Sequence, residues 1–292
     1  MKHWLNNSIY IAILSALLSA IFYAFCIPFA KLLSNYVPSV MLGGFLYLGA
    51  GIGLGVIQLF IKKQKNHLTK AEMPFIAAIV LLDIGAISFL MLGLAKTTGS
   101  NASLLCNFEL AATSLFAYYI FREIVTKRML VSIILIIIAC IILTVDGFDC
   151  LVFNIGSIFV LLSALCWGLE NNCTRKISSK STKQITVIKG IFSGIGSLIL
   201  AVVMHNNFPA LKYIIYALSL GFLSYGLSVS LYIYAQRTLG AIKTGIYYSF
   251  APFLGVIFSL IFLGEIPQTK FYFAFIFMII GTYLVFTDTK DS

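Results

Sequence analysis

"SALCWGLENNCTRKIS", Ser163 to Ser178, begins as apolar as a membrane span, then sets Glu170, Asn171 and Asn172 in a row before the span ends. A second stretch, "SAIFYAFCIPFAKLLS" from Ser19 to Ser34, aligns on it without a gap. Both open on Ser-Ala. Tyr23 falls on Trp167, Lys31 on Arg175 and Ser34 on Ser178. A second match, "AYYIFREIVTKR" with "SLIFLGEIPQTK", centres on Glu123 and Glu265 at nearly the same offset. The chain is therefore expected to hold two related halves, residues 1–149 and 150–292.

The 292 residues are 60% hydrophobic and 10% charged, against about 25% charged in a soluble domain. Apolar runs of about 20 residues recur along the whole length, as membrane helices require. They predict ten helices, over residues 9–31, 38–61, 73–95, 100–121, 128–146, 153–174, 184–205, 210–235, 242–263 and 269–287. The apolar segment from Ile9 outlasts a signal-peptide core and lacks a small-residue cleavage site, so it reads as a retained first span. Five helices per half is an odd number, so the second half enters from the opposite face. The expected fold is an all-α polytopic membrane protein, with ten transmembrane helices as two inverted five-helix repeats. Such repeats place a substrate site near the midplane, between the halves.

Basic residues set the orientation. With a cytoplasmic N-terminus, fifteen face inward: Lys2, Lys62, Lys63, Lys65, Lys70, Arg122, Lys127, Arg128, Arg175, Lys176, Lys180, Lys183, Arg237, Lys243 and Lys290. Four face outward: Lys31, Lys96, Lys212 and Lys270. Both termini are predicted cytoplasmic, with the chain in the plasma (cell inner) membrane. The net charge of +10 belongs to these loops and implies no nucleic-acid partner.

The segments "FELAATSLFAYYIFRE", "CWGLENNCTRKIS" and "YYSFAPFLGVIFSLIFLGE" resemble the drug/metabolite transporter superfamily, and within it the EamA-type permeases. The resemblance covers essentially the whole chain. It implies an exporter of amino acids, drugs or other small metabolites, without a bound cofactor. One departure stands out. Pro252 in the ninth span has no proline counterpart in the fourth, where "NFELAA" stands.

Ionisable residues inside spans are costly and usually face a partner or a cavity. Four are weighed here: Asp83, Glu109, Glu170 and Lys189. An acid at mid-span costs about 2.5–3.5 kcal/mol to insert. Glu109, midway along the fourth span, is read either as a carboxylate that takes up and releases a proton or as a fixed helix-to-helix bond. Asp83 is expected either to share a proton or a cation with Glu109 or to form a fixed bond. Glu170 and Lys189 lie at similar depth on consecutive antiparallel helices. They are expected to pair, as a structural tie or as a cytoplasmic gate; Lys189 could instead hold a substrate carboxylate.

Asn171 and Asn172 weaken a helix through local amide bonding, and Asn172 aligns with Pro28. A hinge in both first helices is one expectation; amide bonds across helices are the other. Trp167, Tyr23, Tyr225, Tyr232, Tyr247 and Tyr248 are the aromatic candidates for a cavity wall, suited to a cation or a flat apolar substrate. Small residues in "GGFLYLGAGIGLG" let helices approach closely.

No phosphate loop, metal spacing or catalytic triad appears, so no enzyme is expected, and neither is a metal or cofactor. The expected partners are a small-molecule substrate and the bilayer, with a monomer or a homodimer as the unit. Export of small metabolites such as amino acids is expected, by alternating access between the inverted halves, either proton-coupled or facilitative. Organic cations are the alternative, because three buried acids face one buried lysine. A non-transporting scaffold or sensor needs neither the repeat nor the acids.

Overall fold

The computed structural model describes residues 2–59, 68–120, 122, 126–147, 152–177, 180–239, 247–248 and 250–288. Glu123, Ser178, Lys62, Lys63, Lys65, Lys243 and Lys290, used above for the repeat and the orientation, lie outside the described residues.

In the first half, helix α1 spans Lys2–Ala24, α2 Cys26–Leu33, α3 Ser39–Leu59, α4 Met73–Lys96, α5 Gly99–Leu105, α6 Phe108–Tyr119 and α7 Lys127–Thr144. The second half holds α8 Ile155–Lys176, α9 Thr182–Ile188, α10 Gly194–Val203, α11 Leu211–Gly221, α12 Ser228–Leu239, α13 Ala251–Leu263 and α14 Thr269–Asp288. Wider π-helical turns join α9 to α10 at Lys189–Ser193 and α11 to α12 at Phe222–Leu227. One short antiparallel ladder, β1 (Val145–Gly147) with β2 (Val152–Phe153), links α7 to α8.

Seven of the ten predicted ranges hold a helix long and apolar enough to cross a membrane. The ninth and tenth hold the shorter apolar helices Ala251–Leu263 and Thr269–Leu284. The fourth is interrupted: α5 stops at Leu105 and α6 starts at Phe108. There the amides of Asn107, Glu109 and Leu110 reach back three residues instead of four. The first range is also broken, at Phe25. Pro28 causes this, because it has no amide to offer the Ala24 carbonyl one turn earlier.

The packing pairs map onto one another when the halves are exchanged. α4 packs on α8, and α12 on α1; α6 packs on α8, and α13 on α1; α3 packs on α11, and α10 on α4. Three pairs join each helix to its own counterpart: α3 with α10, α5 with α13, and α7 with α14.

Lipid offers no hydrophobic gain for bringing two apolar helices together, so close packing and polar bonds do it. The glycines of α3 supply the closeness. A Cβ on Gly49 would stand 2.1 Å from the Leu218 carbonyl oxygen, and one on Gly190 would stand 2.5 Å from Gly51. Polar bonds supply the rest. Ser19 and Ser228 each donate a hydroxyl to the other's carbonyl, at 2.7 and 2.9 Å, and tie α1 to α12.

Candidate functional site

Helix α8 runs between α4 and α6, so its consecutive residues meet different helices. Trp167 and Glu170, three apart, share the face toward α4. Asn171 and Asn172 turn toward α6. The glycine at 168 lets α6 come in: a Cβ there would be 2.6 Å from Ala112.

Toward α4 lies a three-membered charge cluster. Lys189 Nζ is 2.9 Å from Glu170 Oε1 and 3.4 Å from Asp83 Oδ2. Asp83 and Glu170 are buried. Thr174 donates its hydroxyl to Glu170 Oε1. Tyr47 donates to Asp83 Oδ1 at 2.9 Å and accepts from the Trp167 indole at 3.2 Å. Lys189 opens the π-helical turn; such turns are frequent at functional sites. One ammonium thus serves two buried carboxylates. Removing it would leave both uncompensated, the costly way to break a buried pair.

Toward α6 lies Glu109. It sits in the first turn of α6, the end at which the helix dipole favours a negative charge. Asn171 donates its amide to Glu109 Oε1 at 2.6 Å. Asn172 donates to the carbonyls of Thr113 and Gly168, at 3.0 and 2.8 Å. The paired asparagines therefore bond across to α6 and back along α8, which runs unbroken through them. Helix α8 has no break at Asn172. The interruptions fall at Phe25 and at Cys106–Asn107, beside Glu109.

Asp83 and Glu109 are not brought together. Each holds its own partners, and no hydrogen bond joins them among the described residues. Trp167 is buried behind Tyr47.

A series of tyrosine rings links the halves. Tyr232 meets Tyr248 at a centroid separation of 5.1 Å, Tyr248 meets Tyr23 at 5.6 Å, Tyr23 meets Tyr225 at 5.8 Å, and Tyr225 meets Tyr47 at 5.4 Å. Tyr247 is half-buried and makes no ring contact among the described residues. Tyr47 escaped the sequence reading; its signal is the single ring hydroxyl among the glycines of "GGFLYLGAG".

Glu265 was recognised only as a repeat marker, and its role is specific. It follows the left-handed Gly264 that ends α13. Its carboxylate accepts from the amides of Gly99 and Ser100, at 2.6 and 2.8 Å, and from the Ser100 hydroxyl at 2.6 Å. Below it α5 and α13 are zipped by small residues: a Cβ on Gly99 would stand 2.8 Å from Ser259 Oγ, and one on Gly255 would stand 2.9 Å from Ser103 Oγ. Lys31 donates to the carbonyls of Leu94 and Thr97 at the same end of the bundle.

A separate apolar groove of about 450 Å³, lined by Phe108, Ile137, Ile141, Phe153 and their neighbours, contains none of the charged residues. Among the described residues no group of three His, Cys, Asp or Glu side chains could hold a metal ion.

Comparison with known proteins gives this arrangement its setting. The solved structure described as "Crystal structure of protein" superposes with a TM-score of 0.65 at 13% identity, covering 94% of this chain and 96% of that one; it speaks for the fold alone. An "Uncharacterized transporter" of Methanothermobacter thermautotrophicus is 27% identical over 307 residues, covering 96% of this chain and 87% of the relative. Another, of Clostridium kluyveri, is 26% identical over 290 residues, covering 94% and 93%. The model of the EamA-like transporter family matches twice, over residues 10–145 and 154–287. The chain belongs to the EamA-like transporter family.

Proposed function

We propose that this chain is a secondary transporter that exports small metabolites such as amino acids by alternating access, coupled to protons. In this reading ten spans form two inverted five-helix repeats, residues 1–149 and 150–292. Both termini lie in the cytoplasm and the membrane is the plasma membrane. One chain carries both repeats, so a monomer is a complete unit.

One observation carries the reading. Four ionisable side chains from both halves flank α8: Asp83, Glu170 and Lys189 as one cluster toward α4, and Glu109 toward α6. Charges of that kind in a membrane bundle mark transport pathways and proton relays. A scaffold would gain nothing from them. Glu109 is the coupling carboxylate, because its bonded partner is a neutral amide. Asp83, Glu170 and Lys189 form the gate: an ammonium held between two carboxylates can exchange one for the other as the halves rock. Asn171 and Asn172 keep α6 in register with α8, Tyr23, Tyr247 and Tyr248 belong to the wall of the pathway, and Trp167 supports it from behind Tyr47.

The test is flux in proteoliposomes, with amino acids and organic amines, with and without an imposed pH gradient. Wild-type flux is expected to follow the gradient and Glu109→Gln flux to ignore it. Gradient-driven flux that survives Glu109→Gln sinks the coupling; absence of flux for every solute sinks the transporter reading.

A further inference from the structure

The apolar groove of about 450 Å³ lies outside the charged site, and its chemistry points to one kind of occupant. Ile137, Cys140, Ile141 and Thr144 fall three and four residues apart, so they share one face of α7. Phe108 of α6 and Phe153 of β2 flank that face, and α8 supplies the rest of the lining. Beside the groove α7 carries an exposed apolar stripe, Ile134, Ile138 and Ile141. The stripe belongs to a helix apolar enough to cross the membrane, so it stands against acyl chains. Ile141 is common to the stripe and the groove. The groove is thus continuous with the lipid-facing surface.

This lining gives a polar solute nothing to bind. It holds no charged side chain. Its one hydroxyl, on Thr144, donates to the Cys140 carbonyl at 2.7 Å, and the Thr144 carbonyl accepts from the Asn154 amide at 2.7 Å. An ammonium or carboxylate entering here would lose water and gain no partner. Hydrocarbon loses nothing, and the space is ample, since an apolar cavity of about 150 Å³ already accepts a benzene ring. A helix from another chain is too thick: about 10 Å across, it would use up this volume in roughly one turn. A single acyl chain is slender enough to lie along α7 from Ile137 to Thr144, about 10 Å.

We infer that the groove is a docking site for one acyl chain of a membrane phospholipid, and that the seated chain braces the start of α6. Phe108 is the first residue of α6, directly after the interruption at Cys106–Asn107 and next to Glu109. The amides of Glu109 and Leu110 there reach back only three residues, so this turn lacks regular helical bonding and gains from a packed neighbour. Helix packing in lipid depends on such close contact. The inference needs the membrane setting alone and stands apart from substrate, direction and coupling.

The experiment is native mass spectrometry of the purified full-length protein in detergent, after loading with dioleoylphosphatidylcholine and washing. Wild type is expected to retain one lipid. Ile141→Trp fills the groove from an exposed position and is expected to cut retention roughly tenfold. Ile134→Trp, on the same stripe two turns away and outside the groove, is expected to retain the lipid as wild type does. Phe153→Ala removes part of the lining instead of filling the space; it is expected to weaken retention as well, and stands in should Ile141→Trp fail to fold, which thermal unfolding reports. Hydrogen exchange supplies the second readout, because amides in loosely bonded turns exchange fast. Lipid is expected to slow exchange across residues 108–112 in wild type and not in Ile141→Trp. A wild type that retains no lipid overturns the site, as does retention indifferent to the groove substitutions or equally lost in Ile134→Trp. Unchanged exchange at residues 108–112 overturns the bracing.

Discussion

Glu265→Ala tests whether the seam between α5 and α13 is one of the gates of the cycle. In the structure that seam is shut, and Glu265 shuts it with bonds of 2.6 and 2.8 Å from two backbone amides and 2.6 Å from the Ser100 hydroxyl. Hydrogen bonds to a charged group contribute about 1.5–3 kcal/mol each. The three are not additive, because they share one carboxylate, and Glu265 is half-buried, so solvent screens part of the gain. Their joint loss is worth about 2–4 kcal/mol, or roughly a 30- to 700-fold shift toward the opened seam. The reporter is Ser259→Cys in a chain whose six native cysteines have been replaced. Ser259 is buried in the seam, against Gly99. A membrane-impermeant maleimide added outside should label this position slowly with Glu265 present and much faster in the Glu265→Ala background. Equal labelling rates, or labelling only from the cytoplasmic side, would refute the reasoning.

Three further expectations stand beside it. Lys189→Met leaves Asp83 and Glu170 without their ammonium and should destabilise by about 3–5 kcal/mol in thermal or denaturant unfolding; Glu170→Gln, which leaves the Asp83 pair intact, should be milder, and equal effects would mean that the three do not act as a unit. Gly49→Ala should sharply lower the yield of folded protein, because the new Cβ meets the Leu218 carbonyl oxygen at 2.1 Å, where backbone and not a flexible side chain must yield; wild-type yield and melting temperature would show that α3 and α11 can part without cost. Lys65→Cys should react only with reagents admitted to the cytoplasm if the proposed orientation, which rests on the distribution of basic residues, is right; labelling from outside would reverse it.

What the sequence made legible was whatever depends on depth along a helix. Glu170 and Lys189 stand at equal depth on consecutive helices, and they pair at 2.9 Å. Glycines spaced along α3 announced close contact, and backbone contacts stand there. What it hid depends on rotation and on neighbours distant in the chain. Asp83 looked like a partner for Glu109 because their helices are consecutive. The packing of α4 on α8 instead turns it to Lys189 and Tyr47. The break at Cys106–Asn107 carries no proline or glycine, and the Asn107 side chain makes no capping bond there. Pro28 and Asn172 share a position in the alignment and do opposite things. Proline removes a backbone bond, whereas asparagine adds two across α6 and α8.

That divergence extends to the two interfaces each first helix makes. In one, α8 meets α4 and α6 through ions and amides: Glu170 reaches Lys189, and Asn171 reaches Glu109. In its counterpart, α1 meets α12 and α13 through neutral groups: Ser19 bonds Ser228, Tyr23 packs on Tyr225, and Cys26 offers its thiol to the Tyr225 hydroxyl at 3.7 Å. Cys26 and Glu170 occupy the same position of the repeat, so one scaffold places a thiol where the other places a carboxylate. Only the ionic interface has partners that a proton or a charged solute can redistribute; the aromatic one offers surface and polarisability but no charge to exchange. If the halves rock, the energy that drives the motion must enter at α8, and α1 must follow. A substitution that neutralises the ionic interface should therefore uncouple transport from its driving gradient, whereas one in the aromatic interface should alter only how well the substrate is held.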